Sequence, residues 1–281
     1  MEQMIPRRAV LVAPASDDRK ARKALGSAAD EVVLDLEDAV TPANKDAARA
    51  AAADLVAEFG GDRRVSIRIN AFGTDWVDDD IAACAGMGAL TSLVLPKAES
   101  AAQLLEVDRR LDDAPARVQA LVETPVGIRD IAHIAGASSR LDAVIIGYAD
   151  LGATLGRPTT APRAVWHPIQ DAVLLAARAA GISVIDGPHL SIADDDGFRT
   201  AKTWVRDLGF DGTWVIHPAQ LATATEIFTP SADEIADARA VIAALDDAAA
   251  RGDGAAKLDG RMLDEALAVS ARRVLAKAGK A

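Results

Sequence analysis

EVVLDLEDAVTPANKDAARAAAADLVAEFGGDRRVSIRIN, residues 31–70, begins and ends in β-branched apolar runs and holds an alanine-rich helical stretch between them. The first run, 31–38, carries Val32, Val33 and Leu34 into the charges Asp35, Glu37 and Asp38. The second, 64–70, alternates Val65, Ile67 and Ile69 with Arg68 and Asn70. Pro42 stands where a helix starts, because its fixed φ and missing N–H suit the first turn, and Gly60 and Gly61 stand where a C-cap belongs. A strand, a crossover helix and a second strand make one right-handed β-α-β unit, so the two strands are parallel.

The unit recurs in both directions. Apolar runs lie at roughly 9–15, 31–38, 64–70, 90–99, 118–125, 141–150, 182–189 and 211–218. Eight such units are the number that closes a TIM barrel, whose active sites lie at the strand C-termini. Seven of the eight runs end on side chains capable of chemistry: Asp35, Glu37 and Asp38; Arg68 and Asn70; Lys97 and Glu99; Glu123; Asp150; Asp186 and His189; His217. Polar residues at nearly every strand end favour the barrel over an open doubly wound sheet, which concentrates its site at a switch point. The expected fold is therefore α/β, a TIM (β/α)8 barrel over 1–230 with a C-terminal helical extension over 231–281 placed to pack on a neighbouring subunit. Further helices are expected from Ser16 or Asp17 to Gly26, within 191–212 and within 229–252. A glycine-containing loop and one more amphipathic helix with a basic end follow.

Composition narrows the function. The formal net charge of -11 argues against a sequence-independent nucleic-acid binder, which needs clustered Lys and Arg. Cys84 is the only cysteine, which rules out an internal disulfide and a multi-cysteine metal site and makes a reducing compartment the default. The N-terminus lacks a signal-peptide pattern, and no apolar run is long enough to span a bilayer, so a cytoplasmic protein without membrane partners is expected.

Glu123 in LVETPVG and Asp150 in IIGYADLG end consecutive strands, which a barrel sets side by side. Two hard oxygen ligands there suit magnesium, which accepts one or two protein carboxylates and keeps its other positions for water and substrate. Either residue alone reads as a solvated loop acid or a helix cap; the pair favours a shared cation. Arg68 points to the face opposite Val65, Ile67 and Ile69, and a guanidinium at the mouth binds a carboxylate or a developing oxyanion. The competing reading is a structural ion pair with Glu37 or Asp38.

The motifs VVLDLEDAV with TPANKDAAR, SIRIN, LVLPKAES, LVETPVGI, IIGYADLGATLG, VIDGPHL and DLGFDGTWVIHPAQ, in that order, resemble the citrate lyase beta-subunit-like proteins and malyl-CoA lyases of the HpcH/HpaI aldolase superfamily. The resemblance implies a magnesium-dependent barrel that makes or breaks a carbon-carbon bond beside a CoA thioester, from an acyl-CoA and a 2-oxo acid. It implies metal binding by Glu123 and Asp150 and a catalytic substrate contact by Arg68. It also implies a homo-oligomer, trimer or hexamer, in which Asp264 enters the neighbouring subunit's site as the base. Asp264 equally suits the start of the last helix, where an acid favours the macrodipole. Arg19 and Lys20 are candidates for the CoA phosphates, and Glu37, Asp38, Pro125 and His217 for substrate or CoA contact.

The chain departs from many relatives in two places. PASDDRK, 14–20, stands where they have a glycine and an arginine-proline pair, and Ala149 stands where they have a glutamate. Two other readings remain: a CoA-independent class II 2-oxo acid aldolase, and a partner-dependent citrate lyase beta-type subunit. Thioesterase activity is compatible with all of these residues.

Overall fold

The computed structural model describes residues 6–278. Residues 1–5 and 279–281, which carry part of the N-terminal reading and the end of the last helix's basic stretch, lie outside the described residues. Two compact units divide the chain, one spanning Arg7–Thr225 and the other containing Glu226–Ala281.

In the first unit eight strands alternate with helices. The strands are β1 (Ala9–Pro14), β2 (Glu31–Asp35), β3 (Val65–Arg68), β4 (Ser92–Leu95), β5 (Arg117–Val122), β6 (Leu141–Ile146), β7 (Ser183–Asp186) and β8 (Gly212–Val215). Each pairs in parallel with the next, and β1 also pairs with β8, which closes the barrel and excludes the open sheet. The helices are α1 (Asp18–Leu25), α2 (Lys45–Phe59), α3 (Val77–Ala85), α4 (Ala101–Leu111), α5 (Pro125–Arg129), α6 (Ile131–Ala135), α7 (Tyr148–Leu155), α8 (His167–Ala180), α9 (Asp196–Leu208) and α10 (Leu221–Phe228). Local chemistry sets their ends: Asp17 caps α1 by accepting from Lys20 N, and Gly26 follows its last turn. Pro42 opens a single 3-10 turn, Pro42–Asn44, rather than α2 itself. Among the described residues, no helix is long and apolar enough to cross a membrane.

The strands are shorter than the apolar runs that announce them. Asp35, Arg68 and Asp186 are the last residues of β2, β3 and β7, whereas Glu37, Lys97, Glu123 and Asp150 lie beyond the strand ends. Midway through the barrel, Val10, Val33, Val94, Leu121, Ala143, Ile145, Ile185 and Trp214 form one apolar cluster.

Below it, at the N-terminal end, lies a buried polar plug. Arg7 Nε donates to Glu31 Oε2 at 2.6 Å, and its Nη2 donates to Ser92 Oγ at 3.2 Å and Asp142 Oδ2 at 3.0 Å. Ser66 Oγ and Gln119 Nε2 both donate to Glu31 Oε1, at 2.7 and 2.6 Å. Glu31 is fully buried and Arg7 1% exposed. Gly212 is required here, because a Cβ on it would collide with the Arg7 carbonyl.

The second unit contains α11 (Ala232–Ala250), β9 (Ala256–Leu258), β10 (Arg261–Leu263) and α12 (Glu265–Ala278). Ser231 and Glu234 form a capping box at the start of α11, with Glu234 N donating to Ser231 Oγ at 3.1 Å and Ser231 N to Glu234 Oε2 at 2.8 Å. Ala238, Val241, Leu263 and Ala271 make its core. The stretch expected to be a loop instead contains the antiparallel β9-β10 hairpin. Its turn is Asp259-Gly260, with φ of 49° and 79°, the left-handed pair that a two-residue hairpin turn requires.

Candidate active site

β5 and β6 are hydrogen-bonded neighbours, and their register pairs Val122 with Ile146. That places Glu123 against Gly147, where any side chain would collide with the Glu123 carboxylate. Gly147 then starts α7, whose first turn carries Asp150. From the adjacent side comes Lys97, just past β4, with a left-handed φ of 47° that is uncommon for a residue with a side chain. Its backbone N–H donates to Glu123 Oε1 at 3.0 Å. Its ammonium lies 2.6 Å from Glu37 Oε1, 3.0 Å from Asp150 Oδ2 and 3.9 Å from Glu123 Oε1. Glu123 and Asp150 thus face one cation, together with Glu37.

Arg68 is fixed by two parallel bonds of 2.7 Å from Nε and Nη2 to Asp35. Its Nη1 stands 3.0 Å from Glu37 Oε2 and 3.7 Å from Asp38 Oδ2. The ion pairs raised against a functional Arg68 therefore exist, but Asp35 is its main partner. Two of the five guanidinium N–H groups serve Asp35, which leaves the two on Nη1 and one on Nη2. The loop after β2 is itself anchored: Lys45 Nζ donates to the carbonyls of Leu36 and Glu37, each at 2.7 Å, and to Asn70 Oδ1 at 2.6 Å. Asn70 is held in turn by Asp80, which accepts from its N at 2.9 Å and its Nδ2 at 2.7 Å.

Charge at the mouth is out of balance. Asp35, Glu37, Asp38, Glu123 and Asp150 pair with Arg68 and Lys97, and Lys45 adds one more positive charge near the first three, so five acids meet three cations. Burial opposes ionisation of Asp35, yet Arg68 holds its carboxyl below the usual range. Burial pushes Glu37 upward. Burial, and then the charge of Glu37, push Glu123 up to about 7. Lys97 keeps its proton well above the ordinary lysine range, because Glu37 and Asp150 outweigh its burial. A carboxyl pushed up by burial and by a neighbouring acid ionises more readily when a cation binds beside it. Among the described residues, no three His, Cys, Asp or Glu side chains converge into a cage. Two hard carboxylates with excess negative charge nearby fit magnesium, which fills its remaining positions with water and substrate.

The other candidate residues are more dispersed. Pro125 is the first residue of α5, behind Thr124, whose hydroxyl accepts from Gly127 N at 3.1 Å. His217 is exposed and accepts through Nδ1 from Ala219 N at 3.2 Å, opening a 3-10 turn. Arg19 and Lys20 are exposed on α1, where Lys20 pairs with Asp17 at 3.1 Å. Asp264, in the second unit, accepts at Oδ1 from Ala266 N at 3.0 Å and Leu267 N at 3.3 Å, so within its own chain it caps α12. Sequence reasoning missed Lys97 as the hub, although LPK directly after a strand was its signal, and missed Lys45 as the loop clamp. It also missed a second network: Tyr148 Oη donates to Asp186 Oδ1 at 2.7 Å, and Lys202 Nζ lies 2.5 Å from Asp186 Oδ2.

Comparison with known proteins gives consistent results. Residues 8–218 match the family model described as HpcH/HpaI aldolase/citrate lyase. A (3S)-malyl-CoA thioesterase of Cereibacter sphaeroides is 40% identical, over 98% of this chain and 96% of its own length. An L-malyl-CoA/beta-methylmalyl-CoA lyase of the same organism is 35% identical over 92% of this chain and 90% of its own. Among solved structures, CitE of Mycobacterium tuberculosis in complex with magnesium, acetoacetate and coenzyme A superposes with a TM-score of 0.78 at 36% identity, covering 99% of this chain and all of that one.

Proposed function

Because the chain belongs to the HpcH/HpaI aldolase/citrate lyase family, we propose that its barrel mouth is a magnesium-dependent carbon-carbon lyase site for a 3-hydroxyacyl-CoA thioester of the malyl-CoA or citramalyl-CoA type. The observation that carries this reading is the pair Glu123 and Asp150, held against one cationic centre in a mouth with excess negative charge. These two carboxylates hold the metal. Bound there, magnesium supplies the Lewis acidity that polarises the carbonyl of a 2-oxo acid.

The chain's own groups do the rest. Asp35, Glu37 and Asp38 fix the Arg68 guanidinium, whose remaining N–H groups stabilise the substrate oxygen that turns from carbonyl to alkoxide. In the condensing direction Asp264 of a neighbouring subunit removes a proton from the carbon next to the thioester carbonyl. The resulting enolate carbon attacks the 2-oxo carbon. In cleavage the substrate hydroxyl gives its proton to solvent, the resulting alkoxide re-forms its carbonyl as the carbon-carbon bond breaks, and Asp264 gives a proton to the enolate carbon. Arg19 and Lys20 take the CoA phosphates, while Pro125 and His217 contact substrate or CoA. Exposed Met262 and Val269, 74% and 59% accessible near Asp264, support the packing of this C-terminal unit, residues 231–281 as read from the sequence, in a homotrimer or hexamer. The single buried thiol, Cys84, suits a cytoplasmic protein.

A second reading, hydrolysis of the thioester, is favoured by the name of the 40%-identical relative. It uses the same metal site but yields CoA and a free hydroxy acid. Mass spectrometry of the protein with magnesium, acetyl-CoA or propionyl-CoA, and glyoxylate or pyruvate separates the two. A new 3-hydroxyacyl-CoA that disappears with chelator and in Glu123→Gln supports the lyase. Free hydroxy acid accumulating from that product supports hydrolysis as well. No CoA adduct with any pair moves the assignment to the CoA-independent aldolase or the partner-dependent subunit.

A further inference from the structure

Against α7 the barrel unit has a cavity of about 530 Å³ between that helix, the segment before α8, the loop after β7 and the middle of α9. Its floor is the network of Tyr148, Asp186, Lys202 and Gln170, in which Gln170 Nε2 donates to Tyr148 Oη at 2.9 Å. Asp186 is the cavity's acid, and it is already neutralised by Lys202. Two further cations line the cavity, Arg157 and Arg163. Arg163 Nη2 donates to the Gly197 carbonyl at 2.6 Å. Arg157 lies with Cζ 4.6 Å from the centroid of the Trp166 ring, and its buried Nη1 has no hydrogen-bond partner. Trp166 is fixed by an edge contact with Tyr148 at 5.0 Å.

We propose that this cavity binds an organic oxyanion, a phosphate or carboxylate head on an aromatic or apolar body, through the Arg157 guanidinium. The cavity is electropositive within a chain of net charge -11, because no carboxylate on its walls remains for Arg157. Arg157 is only half-buried, and a guanidinium stacked on an aromatic face keeps the in-plane donors of its accessible edge for a planar or tetrahedral oxyanion. Trp166, Trp204 and Pro158 supply the apolar wall for the body of that ligand. The cavity adjoins the barrel mouth through Asp186 and His189 but is separate from the Lys97 centre: α7 presents Tyr148, Ala149 and Gly152 to the cavity, while its Asp150 pairs with Lys97.

Phenyl phosphate, benzoate and inorganic phosphate, titrated calorimetrically into the full-length protein, provide the test. Phenyl phosphate or benzoate should bind with one-to-one saturation, and which of them binds tighter identifies the head group. Binding should weaken at least about tenfold in Arg157→Gln, about 1.4 kcal/mol, with an unchanged circular dichroism spectrum, and should be unaffected in Arg19→Ala. Equal affinity in Arg157→Gln and wild type, loss in Arg19→Ala, or no saturable binding of either aromatic anion overturns the proposal. Inorganic phosphate binding as tightly as phenyl phosphate removes the apolar-body part of it.

Discussion

At the N-terminal end of the barrel Arg7 sits between Glu31 and Asp142, sealed beneath the apolar cluster, with Ser66, Ser92 and Gln119 filling the remaining bonds. At the C-terminal end Arg68 and Lys97 face five carboxylates, and Lys97 is 36% exposed. Both ends hold charged residues on the inside of the barrel, so polarity alone does not identify the working end. What separates them is that the lower cluster is compact and closed, its two acids balanced by Arg7 and by Arg117, 4.0 Å from Asp142, whereas the upper one has surplus negative charge and access to solvent. The lower end spends its charges on holding strands together; the upper end keeps some available for a ligand.

Substitutions at the two ends should therefore fail in different ways. Asp150→Ala should remove magnesium-dependent turnover, by at least about a thousandfold, since several kcal/mol of Lewis-acid stabilisation correspond to such a factor. Its urea midpoint should stay close to wild type. Glu31→Ala should do the reverse, lowering unfolding free energy by about 3–5 kcal/mol in urea titrations, because Arg7 is left buried with one of its two acids gone. The turnover of molecules that remain folded should hardly change. Turnover loss from Glu31→Ala in fully folded protein would erase the contrast.

The pH dependence of stability sharpens it further. In the metal-free protein the carboxyl of Glu123 keeps its proton up to about pH 7, against an ordinary value of 4.5, so between these limits the folded state binds the extra proton. Unfolding free energy should fall as pH rises through that window, by about 1–3 kcal/mol, and the slope should be shallower in Glu123→Gln, the remainder coming from carboxyls such as Glu37 that burial also pushes upward. For the same reason magnesium affinity, measured calorimetrically, should weaken as pH drops below about 7. The smallest effect belongs to the rim: Arg19→Ala with Lys20→Ala should raise KM for a CoA ester a few fold, roughly 1 kcal/mol of uniform binding, and leave kcat unchanged.

The barrel was legible because its signal is repetitive: β-branched runs separated by alanine-rich helices need only be counted. Strand ends were less legible, since the apolar pattern continues past the last ladder bond, as in β4, which stops at Leu95 although the run extends to Glu99. The β9-β10 hairpin escaped because three-residue strands are too short to show alternation, even with Asp-Gly between them. Glu123, Asp150 and Arg68 could be placed at the mouth from strand position alone. The partnerships could not: Arg68 with Asp35, one strand away, and Lys97 with Glu37, sixty residues upstream, depend on which side chains a closed barrel turns toward one another.

Lys97 also bears on how the protein is made. Its ammonium already sits among Glu37, Glu123 and Asp150 on a backbone turned left-handed at that residue. A zinc finger stays unfolded until its ion arrives, because nothing in its chain stands in for the metal. Here the chain brings a tethered cation of its own, so the mouth can assemble as soon as synthesis is complete. Withholding magnesium should therefore lower turnover without lowering the yield of folded protein.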